Sequence, residues 1–444
     1  MNPAGKWFGW KPILFEQRVL LIYTLRWSFL GITTGVIVGT GVAVFLKMLA
    51  WAIAVWTQVW YYYFFLPVIL FLNCWLVSAA AIQTAGGSDK VIEGIHQQDG
   101  CLQLAEMPLK IAATIITIAA GGSAGKEGPA AQIGATLAST WANLLRVSKA
   151  DCRKIVICGL SAGFACVFGT PVAGAIFGIE VLFIGKILYD TLYPAFVAGL
   201  AGYYICHIIG IPYFYLQFHV EPTGYLIFQS IMLGVVCGLV AIFFIKTNNF
   251  CKHGFTCLRL AQQAKAFIGG MILILIGYFV SPLYLGLGLE LFENGISGQS
   301  VAVAAFFWKT LATGITLGCG GTGGIIMPII IVGTMTGNLF GQLFGNLDIA
   351  VYAVLGMVAL LAAAVNIPVA AVVMAAELFG SDIIPYAAVS CSISYLISGH
   401  RSVYPSQIIV AGKIPYLCED EGKSVSCAQV QVNLTSVKEE RISI

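Results

Sequence analysis

From residue 28 onward the chain runs in long apolar blocks parted by short breaks that carry glycine, proline or charge. The blocks lack the apolar/polar alternation of membrane β-strands and are rich in small residues, so they predict packed helices rather than a barrel. A first span is expected over 28–46. A second, over 48–82, exceeds the ~20 residues a bilayer needs and should therefore be strongly tilted. Ser88, Asp89, Lys90 and Glu93 break the pattern across 86–100, as a loop or a re-entrant helix start would. Apolar segments follow at about 104–120, 129–145, 154–168, 171–188 and 191–211, then at 225–245, 265–289, 300–317, 325–344, 349–365, 368–380 and 384–398. Several are too short to cross alone, which points to discontinuous helices with a binding site between them.

The polar stretch 217–224 marks a midpoint, and the two sides of it repeat. Gly121, Gly122, Ser123, Gly125, Pro129 and Gly134 are echoed by Gly320, Gly321, Thr322, Gly324, Pro328 and Gly333, a constant offset of 199 (320 minus 121). Gly159, Pro171, Val172, Ala173 and Glu180 are echoed by Gly356, Pro368, Val369, Ala370 and Glu377 at an offset of 197 (377 minus 180). The expected organisation is a basic interfacial lead-in over 1–27, membrane repeats over 28–215 and 223–410, and a short polar tail over 411–444. A repeat with broken helices suggests that the second half is inverted relative to the first.

Composition narrows the function classes. The chain is 59% hydrophobic and only 10% charged, with a mean hydropathy of +0.90, whereas about a quarter of an ordinary soluble domain is charged. A net charge of +3 is too small to call for a nucleic-acid partner. The thirteen cysteines are scattered through apolar runs and suggest no disulfide framework. Cys251, His253 and Cys257 have a metal-like look but lack a fourth ligand, and the basic residues around them favour a solvated loop. Lys6, Lys11, Arg18 and Arg26 precede the first span without a cleavage pattern, which puts the N-terminus in the cytoplasm. The five histidines form no usable pattern.

One charged pair stands where hydrocarbon should exclude it, in Gly121-Gly122-Ser123-Ala124-Gly125-Lys126-Glu127-Gly128-Pro129. Intramembrane ionisable residues mark functional sites. Pro129 suits a first helical turn, and bare glycine backbone before a helix N-terminus suits an anion. A phosphate-binding loop is excluded, because Ala120 replaces its first glycine and Glu127 its Ser/Thr. Close-packing G-x-x-x-G pairs (Gly121/Gly125, Gly159/Gly163, Gly174/Gly178) account for many of the glycines but not for Lys126-Glu127. An enzyme using that pair as acid and base would need a nucleophile or metal set beside it, and none is present.

These residues resemble the CLC chloride channels and chloride/proton exchangers. Gly125-Lys126-Glu127-Gly128-Pro129 is similar to the family's G-[KR]-E-G-P motif, Gly324-Ile325-Ile326-Met327-Pro328 to G-x-F-x-P, and Gly87-Ser88 to the start of G-S-G-I-P. Tyr404 matches the pore tyrosine, and the motifs stand in family order from about residue 20 to 410. The resemblance implies an all-α integral membrane protein with an inverted-repeat CLC-type fold of tilted and re-entrant broken helices, of the prokaryotic type, in the plasma membrane and homodimeric. Chloride would be the transported ligand, with no cofactor. Amides of Lys126, Glu127, Gly128, Ile325, Ile326 and Met327 and the hydroxyls of Ser88 and Tyr404 would hold the anion without a full counter-charge. Glu127 would be the gate: its carboxylate would occupy an anion position and, once protonated, leave it. Burial would favour its neutral form and amide donors its charged form.

Departures from the family pattern sharpen the expectation. The first motif continues Asp89-Lys90-Val91 and lacks the proline, so Asp89 or Lys90 is expected to modify the inner anion site. Ile326 replaces the phenylalanine, altering a hydrophobic constriction but keeping the amide. Val181 stands where exchangers commonly carry an internal proton glutamate, which favours a passive channel over a proton/chloride exchanger. Pro129 and Ser88 favour chloride over the fluoride branch, whose motifs usually differ at both places. Glu180 and Glu377 are expected to cap or bridge helices rather than move ions.

Overall fold

The computed structural model describes residues 10–59, 61–79, 87–221, 223–344, 348–414 and 421–428. Among them the chain forms sixteen α-helices. The first half holds α1 (Trp10–Trp56), α2 (Leu66–Ala79), α3 (Gly87–Gln97), α4 (Met107–Ala119), α5 (Glu127–Leu144), α6 (Lys149–Phe168), α7 (Pro171–Glu180) and α8 (Tyr189–Ile209). The second holds α9 (Gly224–Cys257), α10 (Gln262–Phe279), α11 (Leu289–Ile296), α12 (Ala305–Gly318), α13 (Ile326–Phe344), α14 (Ile349–Val365), α15 (Pro368–Phe379) and α16 (Ile384–Ile397). The short strands β1 (Phe183–Ile184) and β2 (Ile408–Ile409) pair in parallel and tie the chain after α16 to the end of α7.

The breaks follow from the residues that punctuate them. Left-handed Gly169 ends α6 and left-handed Asn366 ends α14. Pro171 and Pro368 then start α7 and α15, where a missing N–H costs nothing. At 10 and 12 residues these two helices are too short to cross a membrane, as the interruptions predicted. Helix α14 is buried at every position from 350 to 365, which only an all-round apolar helix tolerates, and it forms the centre of the core. Leu14–Trp56, Gly224–Cys257 and Ile326–Phe344 are among the helices long and apolar enough to span, and the chain is an integral membrane protein.

Repeat-related residues exchange the same bonds. Ser123 N–H donates to Thr316 Oγ1 (3.0 Å) and Thr322 N–H to Thr117 Oγ1 (3.3 Å), each pair of equivalents differing by 199 (322 minus 123, 316 minus 117). Gly125 and Gly324 form an antiparallel bridge, each N–H donating to the other's carbonyl at 2.6 and 2.7 Å. Glu180, at the end of α7, accepts from Val369 and Ala370 N–H at the start of α15 (3.0 and 2.8 Å). Glu377, near the end of α15, accepts from Val172 and Ala173 N–H at the start of α7 (2.9 and 2.8 Å). The two halves thus meet across a local two-fold axis with chain direction reversed, and the two glutamates cap helices as expected.

Several boundaries differ from those expected. The break expected at residue 47 is absent: α1 continues through Lys47 for 47 residues, about 70 Å. The long continuous element is therefore α1 and not 48–82, because a 3-10 turn over Tyr62–Phe65 precedes α2. The lead-in is continuous with α1 from Trp10, and residues 1–9 lie outside those described. Cys251, His253 and Cys257 belong to the end of α9, not to a loop. Their polar neighbours Asn248, Asn249 and Lys252 face a cavity, so polarity there signals water beside a helix and not its end. Cys251 is buried and Cys257 Sγ lies 3.4 Å from His253 Nε2, and among the described residues no group of three or more His, Cys, Asp or Glu could hold a metal ion. Much of the expected tail, 415–420 and 429–444, lies outside the described residues.

Candidate functional site

Glu127 opens α5 and is completely buried. Its Oε2 accepts from Met327 N–H, near the start of α13, at 3.1 Å. Its Oε1 has no hydrogen-bond partner in the structure. Among the described residues no ion pair joins Glu127 to Lys126, so pairing with that lysine is not what holds the carboxylate. Two glycines make this seat possible. A Cβ on Gly125 would strike the Glu127 carboxylate, and one on Gly128 would stand 2.9 Å from Gly324 Cα.

Ser88 and Tyr404 approach from another side. Ser88 lies in the first turn of α3, after left-handed Gly87, and both residues are almost fully buried. Neither hydroxyl has a hydrogen-bond partner in the structure. An unpaired buried polar atom costs about 1–3 kcal/mol, and Ser88 Oγ, Tyr404 Oη and Glu127 Oε1 together are therefore a local deficit that a ligand would relieve. Ser88, Gly128, Gly324, Ile325 and Tyr404 line a cavity of about 330 Å³. Glu93, Asn249 and Lys252, on its wall, are exposed and form its wet side.

The N-termini of α3, α5 and α13 thus converge, and the amides of Lys126, Glu127, Gly128, Ile325, Ile326 and Met327 lie at the starts of the last two. Partial positive charge from these ends suits a small anion without binding it as tightly as an ammonium would. Ile326 is fully buried, and Ile325 borders the cavity. Asp89 Oδ1 accepts from Ser406 N–H at 3.0 Å, fastening α3 to the Tyr404 loop. Lys90 Nζ pairs with Glu106 Oε2 at 2.7 Å, so its charge is partly neutralised. Val181 is fully buried just beyond α7, with no acid in its place.

What holds Tyr404 was not visible in the sequence. Gln407, fully buried, donates through Nε2 to the carbonyls of Val181 (2.7 Å) and Val365 (2.8 Å). Its Oε1 accepts from Asn366 Nδ2 (3.2 Å) and from Ser402 Oγ (2.6 Å), and Ser402 Oγ accepts from Tyr404 N–H (3.0 Å). One amide thereby fixes two helix ends and the Tyr404 loop. Gln407→Leu should cost about 2–4 kcal/mol, since it strands several buried partners at once. Thermal unfolding in detergent will show the loss, and an unchanged midpoint would exclude the role. A second feature missed is a buried lysine pair, Lys110 on α4 and Lys309 on α12, also 199 apart (309 minus 110); extending the repeat comparison upstream would have found it.

The fold agrees with known proteins. Residues 69–399 match the family described as "Voltage gated chloride channel". A "Chloride/fluoride channel protein" of Pseudomonas syringae pv. tomato is 31% identical over 97% of this chain and 96% of its own. Among solved structures, a "CLC-type fluoride/proton antiporter" superposes with a TM-score of 0.82 at 27% identity, covering 87% of this chain and 98% of that one. A "slow cyanobacterial Cl-/H+ antiporter" superposes at 0.73 with 24% identity over 84% and 94%, a likeness of fold. With a reversed repeat, three helix starts converging on a buried carboxylate and a family match over most of its length, this chain belongs to the CLC family of anion transport proteins.

Proposed function

We propose that the chain conducts chloride passively across the membrane, with Glu127 as the gate and Ser88, Tyr404 and the amides of Lys126, Glu127, Gly128, Ile325, Ile326 and Met327 as the anion seat. The observation that carries this reading is the Glu127 carboxylate itself. It is a buried anionic group held by one amide of a facing helix, with its second oxygen unpaired, beside two unpaired hydroxyls. A carboxylate so placed stands in for the transported anion and must leave for the anion to pass. Val181 supports a channel: an aliphatic side chain relays no protons. The same reading places two copies in a prokaryotic plasma membrane with the basic N-terminus in the cytoplasm.

A second reading is proton-coupled exchange, with fluoride among its substrates. It is favoured by the names of the similar proteins, a fluoride/proton antiporter and a chloride/fluoride channel. Pro129 and Ser88 support chloride. Liposomes containing the protein decide between them: under a chloride or a fluoride gradient, a channel leaves the proton gradient at its electrical equilibrium, whereas an exchanger drives protons uphill.

Asp89 and Lys90 are proposed to tune the inner end. Lys90 adds positive charge to the cavity wall, and its partner Glu106 offsets only part of it because Lys110 Nζ lies 3.8 Å from the same carboxylate. Lys90→Ala should lower chloride flux at low salt by roughly 2–5-fold and by less at high salt, where exposed charge is screened. Equal fluxes of variant and parent at both ionic strengths would exclude this role.

A further inference from the structure

A second, smaller cavity of about 20 Å³ lies between α4, α5 and the turn before α13. Lys110, Thr114, Gln132 and Thr322 contribute its polar wall, with Gly87 and Gly323 beside them. Lys110 and Thr322 are more than nine-tenths buried, and neither Lys110 Nζ nor Thr322 Oγ1 has a hydrogen-bond partner in the structure. The ammonium's nearest counter-charge is Glu106 Oε2 at 3.8 Å, already engaged by Lys90 at 2.7 Å. Two lysines thus face one carboxylate, leaving one positive charge for a monovalent partner.

The repeat supplies an internal control. The equivalents of Lys110, Thr114, Ser123 and Gln132 are Lys309, Thr313, Thr322 and Ile331, each 199 further on (309 minus 110, 331 minus 132). Around Lys309 the polar groups are hydrogen-bonded, although no carboxylate pairs with the ammonium among the described residues. Its Nζ donates to the carbonyls of Tyr284 (3.2 Å) and Gly286 (2.9 Å), and Ser123 Oγ bonds Thr313 Oγ1 at 3.0 Å. Ile331 supplies an apolar wall where the first half has Gln132. The same backbone frame is therefore closed and satisfied in one half, and open, polar and unsatisfied in the other. Packing alone does not require that difference, since the closed version is available to this fold.

We propose that the Lys110 cavity, which shares Gly87 and Gly323 with the larger cavity, is a second halide site for one dehydrated fluoride-sized anion. The ammonium supplies the charge, and the Thr322 hydroxyl and Gln132 amide donate hydrogen bonds. The volume accepts one water-sized occupant. Fluoride has nearly the radius of a water oxygen and fits without displacing side chains; chloride is larger and requires them to move. The polar wall and an ammonium whose one counter-charge, Glu106, is shared with Lys90 favour an anion over a water. The choice of a halide rests on the function proposed above, but the site itself depends on neither the channel nor the exchanger reading.

The test is calorimetric titration of sodium fluoride into the full-length, detergent-solubilised Glu127→Ala protein, whose main site is freed of the carboxylate. Adding Thr322→Val or Lys110→Met should lower the number of fluoride sites per chain by one, and adding Thr322→Ser should leave that number unchanged. Thr322→Val is nearly isosteric, so it reports on the site even if the lysine variant folds poorly. An equal count with and without Thr322→Val overturns the site, as does equal loss in Thr322→Val and Thr322→Ser. Halide efflux from liposomes by the Thr322→Val single variant reports separately on the main pathway: retained efflux with one site lost is the expected pair of results.

Discussion

In liposomes the Glu127→Gln protein will pass chloride about tenfold faster than the parent at neutral pH, and its rate will no longer respond to acidification. The reason is the seat that Glu127 occupies. Its ionised carboxylate takes the Met327 N–H that an arriving anion would use, and burial makes that competition strong. Glutamine has the size of the protonated acid and no charge, so it competes with an anion as the open gate does. A tenfold effect corresponds to about 1.4 kcal/mol of lost competition. Efflux measured by a chloride electrode across the acid range checks it. If the parent instead couples protons to halide, the same variant will lose proton movement while chloride continues, which identifies the exchanger. A variant whose chloride flux keeps the parent's pH response would remove Glu127 from the gate altogether.

Glu180→Ala will lower the stability of the detergent-solubilised protein by about 2–4 kcal/mol, and Glu377→Ala will do likewise. Each carboxylate accepts two backbone N–H groups at the start of the opposite short helix, and charged acceptors of this kind contribute about 1.5–3 kcal/mol per bond. Removing one leaves two amides bare at a helix end inside the membrane. The two caps lie on one antiparallel helix pair, so the double variant should cost less than the sum of the singles. Unfolding midpoints of the four proteins close the cycle. Glu180→Gln keeps one acceptor oxygen and should recover part of the loss with halide flux intact. A variant that loses flux while holding its midpoint would instead make Glu180 part of the transport path.

Much of this protein was legible from its order of residues because the bilayer imposes local rules. Spanning segments must be apolar and helical, so hydropathy marked most of the membrane elements, though not all of their ends. Segments starting at Pro171 and Pro368 were expected from the apolar pattern, though the first, expected over 171–188, ends as a helix at Glu180. Glu127 stood out because a carboxylate between apolar runs needs a reason. The repeat was visible because glycines required for close approach recur at fixed intervals, and it led from Gly121–Pro129 to Gly320–Pro328 before any contact was known.

Other properties depend on what lies across the fold. Residue 47 looked like an end of a span, yet α1 runs through it, since an exposed lysine can extend along a helix toward water. The polar end of α9 looked like a loop because hydropathy does not distinguish leaving the membrane from facing a wet cavity. Gln407 is an ordinary polar residue in a polar stretch until tertiary structure sets four buried partners around its amide. The order of residues by itself thus determined a membrane-spanning, repeated helical chain with an acid at a glycine-lined helix start. Tertiary structure decided which amide holds that acid, which hydroxyls face the cavity unpaired, and why Lys309 is satisfied while its equivalent Lys110 is not. Hydrogen-bond satisfaction belongs to pairs of residues nearly two hundred positions apart, and only the fold brings such pairs together.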